Sequence, residues 1–388
     1  MINPKVYYRV LPTDGKIFRD LKDYYDGLVL EAHILEQYTK FAASLISTLE
    51  KPFFVDPTGK LALLNVEDIS DKEWYLKIVD AFNLSECLQE GEILVDALEQ
   101  NLDKFVESSI SYQREKIKQE LGGLALFGLS GNIEPEAVLT PYFLIDDVRS
   151  ELYNLNLEIL KVAIRHKGDS NLYAVIFIEE NTLFSKSTVE KILSDFIIDG
   201  IDGVCVWVAD FREYGEDAKS LKKYAEFFEK LSGLKRPVIN LYGGAFSIFL
   251  GKLGLLDVIV QGIGYGEYRN PYSIPTGRQQ KMYYIPRLRK SVPVHIAEEL
   301  ISSISGLECS CEYCGKGITD EIETEKVKKH YILKRWEEKH VDIKEVINEM
   351  NETIQNLEKD ELLEEFWDVV HHLINWRDVL KELTEKRQ

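Results

Sequence analysis

Residues 203–211 read GVCVWVADF, and residues 173–180 read YAVIFIEE. Both are short apolar runs, rich in β-branched and aromatic residues, that end on acidic side chains. A strand with one wet face alternates apolar and polar residues. A strand buried on both faces does not, so unbroken runs of this length point to a parallel sheet. Four further runs have the same character: PFFVDP (52–57), LTPYFLI (139–145), PVINLYGG (237–244) and LLDVIVQGIGYG (255–266). Helical spacing fills the intervals. Val189, Ile192, Leu193 and Phe196 recur at three and four residues, as do Leu221, Tyr224, Phe227, Phe228 and Leu231.

Strands alternating with helices at this spacing are βαβ units, which build either a doubly wound sheet or a closed barrel. Asp56, Glu179, Glu180, Asp210, Gly243, Gly244 and Asp257 are assigned to strand ends, and a barrel gathers such ends into one shared mouth. The expectation is a (β/α)8 TIM-like barrel over residues 1–300 with a helical insertion near 85–122, where Leu94, Leu98, Leu102 and Phe105 share a helix face. A zinc-binding segment over 301–340 and C-terminal amphipathic helices over 341–388 follow. Ile343, Val346, Ile347, Met350, Ile354 and Leu357 form one stripe. Leu362, Phe366, Val369, Val370, Leu373 and Ile374 form the other. These helices close the domain or serve as a dimerisation element.

The chain has 388 residues, 45% apolar and 29% charged, which excludes wholesale disorder and fibrous classes. No apolar run approaches the roughly 18 residues of a membrane span. MINPKVYYRV carries no secretory signal. Five cysteines are too few for a disulfide scaffold, so a cytoplasmic protein without membrane contact is expected. The net charge of −19 argues against indiscriminate coating of nucleic acid. Residues 268–290 reverse that sign locally. They hold Arg269, Arg278, Lys281, Arg287, Arg289 and Lys290 with no acid, interleaved with Tyr268, Tyr272, Tyr283 and Tyr284. Cations meet phosphates and tyrosines stack on unpaired bases, so this segment reads either as a polynucleotide contact or as a solvated loop.

Cys309, Cys311 and Cys314 form a C-x-C-x-x-C. Thiolates this close can converge on one tetrahedral ion, and their softness favours zinc. His330 or His340 supplies the fourth ligand, which makes the ion structural. Asp56 and Asp257 are the candidate catalytic carboxylates, a pairing that suits glycosyl chemistry. GIGYGE (262–267) lacks the third glycine of a dinucleotide loop. Its glycines, Gly264 among them, instead allow a sharp turn or close approach of backbone to a ligand.

Asp56 on an early strand, P-x-x-N-L-Y-G-G, G-L-L-D-V-I-V, and C-x-C-x-x-C with a downstream histidine occur in that order. This order resembles the tRNA-guanine transglycosylase superfamily, zinc-bearing (β/α)8 barrels that exchange guanine for a 7-deazaguanine. T-P-Y-F and G-I-G-Y-G-E-x-R are most similar to the branch that places deazaguanines in DNA. The resemblance implies that Asp257 attacks C1′ as nucleophile and Asp56 shuttles protons. It assigns substrate binding to Tyr142, Glu179, Asp210, Gly243, Gly244, Gly264 and Arg269, and structural zinc to Cys309, Cys311, Cys314 and His330. The implied partners are DNA, with tRNA as the alternative, and a 7-deazaguanine base such as the 7-cyano form. A homodimer is allowed. The sequence departs from the pattern at Pro57-Thr58-Gly59 and Leu256-Asp257-Val258. Two rivals are a non-catalytic, zinc-stabilised binding subunit and a barrel glycosidase or nucleosidase that admits water.

Overall fold

The computed structural model describes residues 3–57, 70–89, 92–124, 133–271, 280–315, 318–319, 321–357 and 367–387. Thr58, Gly59, Tyr272, Arg278, Leu362 and Phe366 lie outside the described residues. Eight strands form one sheet: β1 (Lys5–Arg9), β2 (Gly27–Glu31), β3 (Phe53–Asp56), β4 (Val138–Leu139), β5 (Leu172–Ile178), β6 (Gly203–Val208), β7 (Val238–Asn240) and β8 (Val258–Gln261). Their order is β3-β2-β1-β8-β7-β6-β5-β4, and every pair is parallel. The Glu136 N–H donates to the Phe53 carbonyl at 2.9 Å, bringing the two edges together in a near-closed barrel.

β1 and β2 are absent from the expected runs. KVYYR and GLVLE are five residues each, and both end on a charge. Conversely, LTPYFLI contributes only Leu139 to a strand. Pro141 lacks the N–H a ladder needs, and the chain then regains contact with β5 through the Ile145–Ile178 bridge. The Gln113 side chain stands in for the missing neighbour, donating to the Leu139 carbonyl at 2.8 Å and accepting from its N–H at 2.7 Å.

Side chains alternate between lumen and helix layer along each strand. Tyr7, Val29, Phe54, Tyr173, Val175, Phe177, Cys205, Trp207, Ile239, Val258 and Val260 pack together inside the barrel. Their neighbours in sequence, such as Tyr8, Leu28, Val55, Ala174 and Val206, belong to the larger core beneath the helices. This two-residue period also decides which residues reach the mouth.

The outer layer is built from α1 (Gly15–Asp20), α2 (Ala32–Leu49), α3 (Glu73–Ala81), α4 (Val95–Gln100), α5 (Leu102–Leu124), α6 (Glu151–His166), α7 (Lys186–Phe196), α8 (Ala218–Ser232) and α9 (Ala245–Lys252). After β8 come a hairpin, β9 (Met282–Ile285) with β10 (Lys290–Pro293), then α10 (Val294–Ser303) and α11 (Thr324–His340). α11 packs against both α1 and α9, the position of an eighth barrel helix. Lys16–Glu325 and Lys329–Asp20 ion pairs join it to α1. The cysteine segment is thus inserted between the last strand and the last helix of the barrel, and the barrel extends beyond residue 300.

α12 (Ile343–Leu357), α13 (Trp367–Val370) and α14 (His372–Glu385) complete the described chain. α12 packs on α14, and α14 packs on α8. The described apolar residues Val346, Ile347, Met350, Ile354, Leu357, Val370 and Leu373 are therefore covered by the same chain. No helix among the described residues is long and apolar enough to cross a membrane.

Candidate functional site

The strands β1, β2 and β3 end in the same pattern: Tyr7-x-Arg9, Val29-x-Glu31 and Phe54-x-Asp56. The first residue of each triplet faces the lumen. Alternation therefore turns Arg9, Glu31 and Asp56 inward one layer higher, at the C-terminal end where barrel enzymes act. Glu31 and Asp56 are register partners on adjacent strands. One Arg9 guanidinium nitrogen bonds Glu31 at 2.9 Å and Asp56 at 3.1 Å, while the other donates to the Leu241 carbonyl at 3.0 Å. The Tyr142 hydroxyl donates to Asp56 at 2.9 Å.

Arg269 closes the cluster from the segment after β8. It bonds Glu31 at 3.0 Å and the Tyr242 hydroxyl at 2.7 Å. Asp210 holds that segment in place: its N–H donates to the Arg269 carbonyl at 2.9 Å, and its carboxylate accepts from Asn270 at 3.2 Å. Aromatic rings pack against the cluster. Phe177 and Trp207 stack at 3.8 Å, and Tyr242 lies 4.8 Å from Trp207.

Two rim carboxyls have opposite electrostatics. Burial alone would raise Glu31, but Arg269, His33 and Arg9 overcome it and hold the carboxyl well below the usual range. Glu179 continues the inward alternation of Tyr173, Val175 and Phe177 on β5. Burial, aided by the negative charge of Asp146, raises it. β2 and β5 are three places apart in the eight-strand ring, so the two carboxyls stand across the mouth from one another.

Gly243 and Gly244 serve packing. A Cβ at Gly243 would come within 2.6 Å of the Asn240 amide nitrogen, and one at Gly244 would lie 2.8 Å from Glu213 and 2.9 Å from Glu267. Glu213 accepts from the Gly244, Phe246 and Ser247 N–H groups at the start of α9. Burial pushes it up to about 7 against the opposing pull of those bonds. Gly264 has a φ of 75° and lies away from the mouth cluster, beside a separate cavity.

The expectation for Asp257 requires correction. It precedes β8, at the N-terminal end of the barrel, and is exposed to solvent. Val258 and Val260 take the lumen positions, so alternation turns Asp257 away from it. Its carboxylate accepts from the Val238 N–H at 2.8 Å, tying down the start of β7. Asp56 is at the opposite end of the barrel and fully buried. The two carboxylates cannot face one sugar carbon. The tyrosine-rich basic segment is likewise not a contact surface as a whole. Tyr283 and Tyr284 are buried, Arg289 is buried against Glu338 and Glu349, and Lys290 donates to the Asp368 carbonyl.

The metal cluster does assemble. Cys309, Cys311, Cys314 and His330 bring their ligand atoms within 4.8 Å of one another. His330 Nδ1 lies 3.2, 3.4 and 3.8 Å from the sulfurs of Cys314, Cys311 and Cys309. Its Nε2 is 2.7 Å from the Tyr284 carbonyl, which selects the Nε2–H tautomer and turns the Nδ1 lone pair toward the thiols. His340 is exposed, with Nδ1 on the Trp336 carbonyl. Three sulfurs and one imidazole with no room left for a substrate could hold one metal ion in a structural site.

No family model matches the chain, and no curated protein matches it. Solved structures that align with it include xylanase B from Clostridium stercorarium F9, at 10% identity over 68% of this chain and 87% of that one, with a TM-score of 0.36. Another is TsXylA, an intracellular xylanase from Thermoanaerobacterium saccharolyticum JW/SL-YS485, at 10% identity over 71% and 90%, with a TM-score of 0.40. At these values the likeness carries no argument about activity. These neighbours are xylanases rather than guanine transglycosylases. With Asp257 at the wrong end, the guanine-exchange reading is overturned, for DNA and tRNA alike.

Proposed function

We propose that the chain is an enzyme that breaks or transfers a glycosyl bond at the C-terminal mouth of its barrel. The observation that carries this reading is the pair of rim carboxyls pushed in opposite directions, Glu31 toward the anion and Glu179 toward the acid. Glycosyl chemistry uses such a pair: a proton donor for the leaving oxygen and a carboxylate for the sugar side of the bond. Glu179 is the donor. Glu31 is the anion that meets positive charge or a hydroxyl on the sugar. Arg9 and Arg269 fix its position, and buried Asp56 with Tyr142 fixes Arg9.

Kinship with the tRNA-guanine transglycosylase superfamily is proposed only for the barrel and its cysteine insertion. The Cys3His set supports zinc as the ion, in a structural role.

The test is turnover of a panel of activated aryl glycosides. Wild type releases the phenol. Glu31→Gln lowers kcat/KM by about 100-fold or more, whereas Asp257→Asn leaves it unchanged. Equal loss in both variants, or no loss in Glu31→Gln, contradicts the assignment.

A further inference from the structure

Glu267 stands two residues before Arg269, the side chain that closes the mouth cluster. Two residues span at most about 7 Å, so wherever position 267 is held, Arg269 is held close by. The chain between β8 and Glu267 turns back on itself. The Gly262 N–H donates to the Gly266 carbonyl at 3.2 Å, and Gly266 has a φ of 83°. A Cβ at Gly262 would lie 1.8 Å from the Tyr265 carbonyl oxygen, so the turn closes too tightly for a side chain there. Glu267 thus leaves the turn next to the end of β8.

The Glu267 side chain does not join the mouth cluster; α11 grips it. The Tyr331 hydroxyl donates to Oε1 at 2.6 Å, and fully buried Arg335, one turn further along the same helix face, pairs with the same oxygen. α11 also carries His330 of the metal cluster. The Glu267 side chain is only 12% exposed. Unpairing a carboxylate so enclosed costs more than an ordinary hydrogen bond, so α11 fixes where residue 267 sits.

Beyond Glu267 the chain is built into the mouth. The Arg212 guanidinium lies 4.5 Å from the centre of the Tyr268 ring. Asp210 has a φ of 49°, a left-handed conformation that costs a residue with a side chain energy and that clusters at functional sites. It places the Asp210 N–H on the Arg269 carbonyl and its carboxylate on Asn270. A strained turn from β6, a paired carboxylate held by α11 and the Arg269–Glu31 bond therefore meet within residues 267–270.

We propose that Glu267 is a positioning residue for the mouth: α11 holds it through Tyr331 and Arg335, and it in turn seats Arg269 on Glu31. The assignment rests on the reading of the mouth as a glycosyl site. It makes the last helix of the barrel a determinant of the charge on Glu31. Burial opposes ionisation of that carboxyl, and Arg269 is the largest attraction that overcomes it, ahead of His33 and Arg9. Asp56 lies behind Arg9.

Hydrogen exchange of the full chain tests the seat without turnover. The Asp210 N–H is protected by the Arg269 carbonyl, so its exchange reports whether the segment is in place. Tyr331→Phe speeds that exchange about fivefold and Glu267→Gln about tenfold or more, while the amides of β6 keep their wild-type rates. The second arm is the pH profile of kcat/KM on aryl glycosides. With Arg269 unseated, Glu31 takes up its proton at higher pH, so the acidic limb moves upward in both variants. Removal of the Glu267 charge alone would move it downward, so the direction separates the two causes. The proposal is overturned if Asp210 exchange is unchanged in both variants, if the β6 amides accelerate equally, or if exchange quickens while the acidic limb stays in place or moves down. A wild type that turns over no glycoside removes the glycosyl reading instead, and the exchange arm still decides whether Glu267 seats Arg269.

Discussion

The metal cluster and the barrel mouth are both convergent polar sites, yet they are assembled in opposite ways. The cluster draws three of its four ligands from six consecutive residues, Cys309 to Cys314. The mouth draws Arg9, Glu31, Asp56, Tyr142, Glu179 and Arg269 from separate barrel strands and connections. In the first the local chain sets the geometry. In the second the register of a closed sheet sets it. Their stabilities and their sensitivity to substitution should differ accordingly.

The largest effect is expected at the cluster. Cys314→Ser, or chelation, removes a thiolate from a site whose binding energy is part of the folding energy. The insertion should loosen and α11 should lose its anchor, at a cost of about 3–5 kcal/mol or more. Metal analysis should give one ion per chain in wild type and none in the variant. An unchanged melting temperature after metal loss would break the comparison.

Next comes the charge network that ties α11 to the barrel. Fully buried Arg335 bonds Glu267, Glu338 and the Tyr284 hydroxyl. Arg335→Met removes the cation shared by Glu267 and Glu338, leaving Glu338 with Arg289 and Glu267 with the Tyr331 hydroxyl, and should cost about 2–3 kcal/mol, read by urea denaturation.

A pH effect separates the C-terminal helices from both sites. His372 is fully buried, and its Nε2 donates to the Leu288 carbonyl at 2.8 Å. Nδ1 has no partner. Burial first, then the charge of Lys290, lower its pKa to about 3. The unfolded chain therefore binds the extra proton first, so stability falls as pH drops from about 6.5 toward 3, by up to about 1.4 kcal/mol per pH unit. His372→Gln should flatten that slope in urea melts between pH 7.5 and 5. An identical slope would remove the assignment.

Asp257→Asn should have the smallest effect. It weakens one hydrogen bond to a backbone N–H at the solvent-exposed end of the barrel, a loss of about 1 kcal/mol or less.

The same contrast explains what could be read from the sequence. Continuous apolar runs identified the sheet, and the C-x-C-x-x-C identified the metal cluster. The choice of His330 over His340 required the face of α11 that packs on Tyr284. Arg9 and Glu31 lie on strands that are short and end on charges, so neither strand forms a long apolar run. The signal was nonetheless present, in the matching triplets Tyr7-x-Arg9, Val29-x-Glu31 and Phe54-x-Asp56. Asp257 is the converse case. Its position at the head of an apolar run puts it at the entrance of a strand, and only the inward Val258 and Val260 show that it faces away from the lumen.

The account depends on Glu179 donating a proton across the mouth from Glu31. The most direct measurement is the dependence of kcat on leaving-group pKa for aryl glycosides, in wild type and in Glu179→Gln. A missing proton donor matters most when the leaving group is basic, so Glu179→Gln should lose about 100-fold or more on poor leaving groups and little on the most activated ones. A uniform loss across the series, or none at all, would contradict the account.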